Sequence, residues 1–275
     1  MKVAIQGIRG AFHETAARKH FGEAIDIVEC STFKTLCDTL KDGRADQALM
    51  AIENTIAGSI LGNYTLIREY GFYVLGEVFL NIKMHLMTLP GVALSSVEVV
   101  ESHPIALQQC HEYLYQNLNV PLRESNDTAE SARDLKKSGD TTKAVIASER
   151  CAELYSLEIK ESGIETHHQN FTRFLVLGRS EVKDTENNKA SLSLQIGHKV
   201  GCLADILVLF RDSGVNLTKI QSTPIIGTPY EYNFHIDIEW DAYQQYQKAL
   251  SDVTGKVSAF RLLGEYRKSS YGLNQ

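Results

Sequence analysis

The chain has 275 residues, 43% of them apolar and 23% charged, with a formal net charge of −6 at pH 7. That length holds two or three compact units. The acidic balance, with no Lys/Arg cluster interleaved with aromatics, argues against a nucleic-acid or anionic-membrane partner. The apolar run at the N-terminus meets Gly7 almost at once and no other run approaches spanning length, so neither a signal peptide nor a membrane segment is expected. Five scattered cysteines (Cys30, Cys37, Cys110, Cys151, Cys202) without a C-x-x-C pair suit free thiols in the cytoplasm, with no disulfide and no metal.

In chain order, β-branched runs at 3–5, 25–30, 48–52, 97–101 and 144–147 read as strands. Helical patterns at 14–21, 33–40, 105–115 and 129–137 follow or separate them. Such alternation predicts α/β units around largely parallel sheets. Residues 73–80 and 83–89 are consecutive strand-like runs that suit a crossing between lobes. Residues 179–189 are almost devoid of apolar side chains, and a linker is placed at 181–189. Beyond it come a strand at 190–196, a helix at 203–213, strands at 216–222 and 232–240, a helix at 242–252 and a strand at 257–263. This βαββαβ order is the ferredoxin-like arrangement.

Four segments carry polar groups where an α/β fold gathers ligands. Gly7-Ile8-Arg9-Gly10-Ala11-Phe12-His13 follows a strand and opens a helix, so it suits either a tight turn or an anion held on helix N–H groups. Without a third glycine it gives no support to a nucleotide cofactor. Glu53, Asn54 and Thr55 follow an apolar strand, the edge at which such sheets bind ligands, although Asn54 or Thr55 could equally cap the next helix. In Ser102-His103-Pro104, Pro104 suits the first helical turn with Ser102 or His103 as its cap, and Gln109 lies further along that helix. His103 is weighed as a general base, but without a visible partner. Asn170-Phe171-Thr172-Arg173-Phe174 puts a hydroxyl and a guanidinium at the mouth of an apolar strand. The pair His167-His168 lacks a third ligand at metal spacing and reads as solvated loop.

Taken in order, these segments resemble the prephenate dehydratase family along nearly the whole chain, with Ser102-His103-Pro104…Gln109 and Thr172-Arg173-Phe174 the specific matches. The tail is similar to an ACT domain, a regulatory βαββαβ module. Departures are visible: Ile8, Ala11 and His13 replace a Pro and two Ser/Thr of the first motif, and Gln221 and Thr223 replace a Glu and an Arg of the tail motif. Because no helical segment precedes Met1 to hold a chorismate mutase, a single-activity enzyme is expected.

The resemblance implies a two-lobed catalytic region like that of periplasmic binding proteins, followed by the ferredoxin-like ACT domain. Lobe one would comprise 1–80 with 168–180, lobe two 81–167, and the ACT domain 190–275. It further implies decarboxylative dehydration of prephenate to phenylpyruvate without a cofactor, in phenylalanine biosynthesis. Thr172 would donate a proton to the leaving hydroxyl, with Asn54, Ser102 and Gln109 orienting the substrate and Glu53 positioning Asn54 or water. Arg173, Thr55, His13 and Phe174 would bind it, Arg173 through a carboxylate and His13 as a substitute donor. L-Phenylalanine, as effector, would sit near Gly201, Leu203, Asn216, Leu217 and Ser222 at the interface of a homodimer or homotetramer. Arogenate as substrate, and a non-catalytic two-lobed solute sensor, are the alternatives.

Overall fold

The computed structural model describes residues 1–269 except His198, Ile226 and Pro229. The chain opens with β1 (Lys2–Gln6), α1 (Phe12–Phe21), β2 (Asp26–Cys30), α2 (Phe33–Lys41) and β3 (Gln47–Asn54). β1 pairs in parallel with both β2 and β3. The unbroken apolar run Ala48-Leu49-Met50-Ala51-Ile52 is buried throughout, the pattern of a strand covered on both faces. Thr32 starts α2 by accepting the Thr35 N–H at 3.0 Å, and Leu36, Cys37 and Leu40 turn inward from it.

β4 (Gly58–Ser59), α3 (Leu61–Tyr70) and β5 (Tyr73–Asn81) follow, and β11 (Phe171–Gly178) returns much later. The first sheet runs β2-β1-β3-β11-β5, with β4 on β3.

Between β5 and β11 the chain builds a second sheet. Its elements are β6 (His85–Thr88), a 3₁₀ turn at Leu94–Ser96, β7 (Val99–Ser102), α4 (Pro104–Gln109), α5 (His111–Asn117), β8 (Leu122–Glu124), α6 (Thr128–Ser138), β9 (Lys143–Ala147), α7 (Glu149–Tyr155) and β10 (Glu158–Ser162). The order is β10-β6-β9-β7-β8. This sheet is mixed rather than largely parallel: β7 runs parallel to β8 and β9, while β6 is antiparallel to β9 and β10. The helix expected over 105–115 is two helices that meet at the fully buried Cys110 (φ −104°, ψ 8°).

The tail comprises β12 (Lys189–Gln195), α8 (Cys202–Asp212), β13 (Asn216–Pro224), β14 (Tyr232–Glu239), α9 (Tyr243–Thr254) and β15 (Ala259–Tyr266). Its antiparallel sheet, β13-β14-β12-β15, has the ferredoxin-like order. Leu192, Ile206, Phe210, Ile236 and Val253 fill the core, and Trp240 stacks on Tyr246 at 3.8 Å.

By compactness the chain divides into Met1–Ser59 with Val78–Phe174, and Ile60–Glu77 with Leu175–Gln275. The second unit thus gathers α3 and the start of β5 with the tail, and three contacts explain the grouping. Arg261 donates to the Arg68 carbonyl at 2.8 Å and the Phe72 carbonyl at 3.4 Å. Buried Lys189 lies 3.0 Å from Glu77 and 3.2 Å from Glu239. Gly264 lies so close to the Val74 backbone that a Cβ there would stand 2.0 Å from its carbonyl oxygen.

No helix among the described residues is long and apolar enough to cross a membrane. Of the cysteines, Cys30, Cys37, Cys110 and Cys151 are buried free thiols, and Cys202 is partly exposed.

Candidate active site

At the end of β3, Asn54 accepts the N–H groups of Ile56 at 2.9 Å and Ala57 at 2.8 Å on its Oδ1. This turn settles which end of the amide is which, so Nδ2 points the other way, toward β11. There it donates to Asn170 Oδ1 at 2.7 Å and to Thr172 Oγ1 at 3.0 Å. Asn170, wholly buried, donates in turn to Gln109 Oε1 at 2.9 Å. Gln109, Asn170, Asn54 and Thr172 thus form one chain of side-chain hydrogen bonds joining α4 to the ends of β3 and β11. Thr172 receives a hydrogen bond from Asn54, and its own hydroxyl proton has no acceptor among the described residues.

A cleft of about 530 Å³ adjoins this chain of bonds, lined by Gln109, by Ile56 and Ala57 on the loop that Asn54 holds, and by Thr166 and His167. Such a volume suits a small organic ligand.

The structure brings together Asn54, Gln109 and Thr172, and gives different work to the other expected site residues. Ser102 is fully buried and donates to the Ile146 carbonyl at 2.6 Å, so its hydroxyl secures β9 instead of facing the cleft. His103 caps α4, its Nδ1 accepting the Ile105 N–H at 3.2 Å, which spends the atom a general base would need. Thr55 accepts the Phe171 N–H and donates to the Gln169 carbonyl, both at 3.0 Å, so it fastens strand ends and has no hydroxyl left for a ligand.

Arg173 is only 4% exposed, lies 3.3 Å from Glu53 and sits over the Phe79 ring at 5.9 Å. A guanidinium already paired inside the fold is not the exposed fork that a substrate carboxylate requires, and Glu53 correspondingly serves Arg173. Phe174 is 1% exposed and forms core, not a binding surface. His13 stands edge-on to Phe174 at 4.9 Å and tilted to Phe33 at 5.7 Å. Burial lowers its pKa to about 4, so the ring is neutral near pH 7 and cannot hold a carboxylate as an imidazolium.

The glycine loop takes the first of its two expected forms, a tight turn. Gly7 and Gly10 have φ of 97° and 92°, and a Cβ on Gly10 would meet Cys151 Sγ at 2.7 Å. Its donors are taken by the chain's own carboxylates, Arg9 N–H by Glu29 at 2.9 Å and Gly10 N–H by Glu14 at 2.6 Å. Burial alone would raise the Glu14 pKa. The Gly10 N–H, the Arg18 hydrogen bond and the charges of Arg150 and Arg18 outweigh it and hold the carboxyl below its usual range. An external anion would have to displace that carboxylate.

A family model described as "Prephenate dehydratase" matches residues 3–182. The chain belongs to the prephenate dehydratase family. It is 34% identical over 284 residues to "Arogenate dehydratase 3, chloroplastic" of Arabidopsis thaliana, spanning 97% of this chain and 67% of that one. Among solved structures, that of GqqA, described as "a novel type of quorum quenching acylases", superposes with a TM-score of 0.90 at 27% identity, covering 98% of this chain and 99% of that one. The prephenate dehydratase of Arthrobacter aurescens in complex with L-Phe superposes with a TM-score of 0.89 at 26% identity, over 98% and 91%.

Within this prephenate dehydratase family member, Asn170 is the residue for which sequence reasoning gave no role. Its signal was present as an amide two residues before Thr172, but spacing cannot show that Asn54 and Gln109, 116 residues and 61 residues away in sequence, meet on it.

In the tail, Gly201 (φ 86°) precedes α8, and Leu203 lines a cavity of about 150 Å³. Asn216 and Leu217 open β13, whereas Ser222 lies near its far end. At 3.3 Å per residue the six steps from Asn216 to Ser222 span roughly 20 Å, so one amino acid cannot touch both within one chain.

Proposed function

We propose that this enzyme is a prephenate dehydratase of phenylalanine biosynthesis, converting prephenate to phenylpyruvate with loss of carbon dioxide and water. The observation that carries the reading is the Thr172 hydroxyl, which accepts from Asn54 and keeps its own proton for another acceptor. In the reaction the ring-to-carboxylate C–C bond breaks and carbon dioxide leaves. Its electron pair enters the ring, the ring C–O bond breaks, and a proton joins the departing hydroxyl to make water. Aromatisation drives this, so the site needs only to assist the leaving group and hold the substrate.

A threonine hydroxyl is a weak acid, but one polarised by an amide donor gives a hydrogen bond that strengthens as negative charge builds on the leaving oxygen. Because the hydroxyl faces an amide and not an imidazole or carboxylate, the arrangement suits proton donation better than nucleophilic attack on an acyl group. The Gln109 side-chain N–H₂ group is a neutral donor for orienting the substrate. Neutral donors avoid stabilising the carboxylate that has to leave.

The test is Thr172→Ala, which should lower kcat at least ~100-fold, in line with loss of one general acid, while prephenate still binds by calorimetry. Near-normal turnover in a phenylpyruvate absorbance assay would remove Thr172 from the chemistry. Arogenate differs from prephenate by an amino group in place of the keto oxygen, and a relative bearing that activity is 34% identical. The same assay with both substrates ranks them.

The proposed organisation has 1–80 with 168–180 and 81–167 as catalytic lobes, 181–189 as linker and 190–275 as an ACT domain that binds L-phenylalanine as feedback inhibitor in the cytoplasm. The solved relative bound to L-Phe supports the effector. β13 supports a homodimer: it is one of the two edge strands of its sheet, with alternate residues exposed along its length. Antiparallel pairing of two copies of β13 brings the Asn216 end of one to the Ser222 end of the other, which reconciles one ligand with both groups of residues. Calorimetry showing no phenylalanine binding would leave the tail as an oligomerisation module.

A further inference from the structure

The hydrogen bonds that join α4 to the ends of β3 and β11 have a direction, and that direction starts from the backbone. Asn54 Oδ1 is held by the N–H groups of Ile56 at 2.9 Å and Ala57 at 2.8 Å, and a backbone N–H can only donate. Asn54 must therefore present Nδ2 to Asn170, whose Oδ1 accepts at 2.7 Å. Asn170 must in turn present Nδ2 to Gln109, whose Oε1 accepts at 2.9 Å. Each side-chain amide donates at one end and accepts at the other, so one fixed link orients the next. The last link leaves the N–H₂ group of Gln109 as the end turned away from Asn170, on a residue that lines the cleft.

Asn170 itself is wholly buried and cannot touch a ligand, and its main-chain carbonyl accepts the Ile82 N–H at 2.6 Å, which fixes it in place. Gln109 is only half-buried. Released from Asn170, its amide could turn either end outward, and the oxygen end would repel an anion. The bond from Asn170 removes that choice.

We infer that Asn170 is a positioning residue that holds the Gln109 amide with its N–H₂ group toward the cleft, and so sets this part of the site to receive an anionic group. This role rests on the reading of the cleft as a prephenate site, and it names the group that meets a substrate carboxylate there. Asn54 needs no such help. Ile56 and Ala57 orient it, and it alone reaches Thr172, at 3.0 Å. Asn170 therefore governs substrate binding and leaves proton donation by Thr172 to a separately anchored partner.

The test is Asn170→Asp, which keeps the shape of the side chain and its acceptor for Asn54. When ionised, the new carboxylate puts an acceptor where Gln109 meets a donor, so Gln109 must reverse and turn its oxygen toward the cleft. When protonated, it donates to Gln109 as the amide does. His111, Glu112 and His167 line the same cleft, so KM for prephenate is read as a ratio to the wild-type enzyme at each pH. That ratio should be at least ~10 at pH 9, the loss expected for a hydrogen bond to a charged group, and should fall toward unity at pH 6. Because Asn54 and Thr172 keep their geometry, kcat should stay within about threefold. In a Gln109→Ala background the same substitution should change KM by less than about threefold, since no amide remains to be turned. An equal KM effect in both backgrounds, or a ratio near unity at every pH, would overturn the inference and leave the function standing. A wild-type enzyme that turns over neither prephenate nor arogenate would overturn both. If Asn170→Asp does not fold, Asn170→Leu in the same two backgrounds decides it: its KM effect should vanish with the Gln109 amide, and equal effects would overturn the role.

Discussion

The residues around Thr172 show how hydrogen-bond supply assigns roles. Thr172, Thr55 and Ser102 are all hydroxyls near the expected centre, but the latter two already donate to carbonyls. Arg173 is likewise committed, so Arg173→Leu should act on stability, lowering it by about 2–3 kcal/mol after discounting the partial exposure of Glu53. Urea unfolding measures this. Unchanged stability with a KM raised more than tenfold would restore Arg173 as a substrate anchor. His13 gives a pH signature. Its folded pKa of about 4 lies below its unfolded value, so the unfolded chain binds more protons between the two. The stability it contributes is full above about pH 6.5 and is lost as pH falls toward 4, by up to about 3 kcal/mol. The difference in unfolding free energy between pH 7 and pH 4.5 should shrink in His13→Phe, and an unchanged difference would place that proton uptake elsewhere.

At the scale of elements, most strands and helices were legible because their periodicity is strong. The buried run of β3 and the alternation along β14 declare themselves in residue type. α3 did not, since Leu61-Gly62-Asn63-Tyr64-Thr65-Leu66-Ile67 carries a glycine, an asparagine and two β-branched residues, all poor helix formers. It is helical because Tyr64 and Ile67 are buried and Gly71 closes it in the left-handed region. The approach of β15 to β5 was equally invisible. Gly264→Ala would drive a Cβ into the Val74 carbonyl, so the strands must separate. Its thermal midpoint should fall by roughly 5 °C or more, as for a core overpacking of 1–3 kcal/mol. An unchanged midpoint would show that the contact yields freely.

For the whole molecule, family membership rests on motifs spread from Gly7 to Phe174, and the tail on its βαββαβ order. The proposed assembly rests on the β13 edge. Ile220 is 41% exposed at the middle of that strand. Ile220→Lys should block edge pairing, shifting the protein toward monomer in light scattering and reducing phenylalanine inhibition at least ~10-fold. Retention of the dimer would move the interface off β13.

Residue order alone determined the α/β class, the tail topology and the family, because these depend on periodicity and on motifs that survive in linear sequence. It also singled out Asn54, Gln109 and Thr172. Tertiary structure alone decided which polar groups remain available. Donors and acceptors are consumed by partners distant in sequence, as Ser102 is by Ile146 and Arg173 by Glu53. Asn170 acquires its place between Asn54 and Gln109 for the same reason, since hydrogen bonds form across space and sequence spacing does not record them.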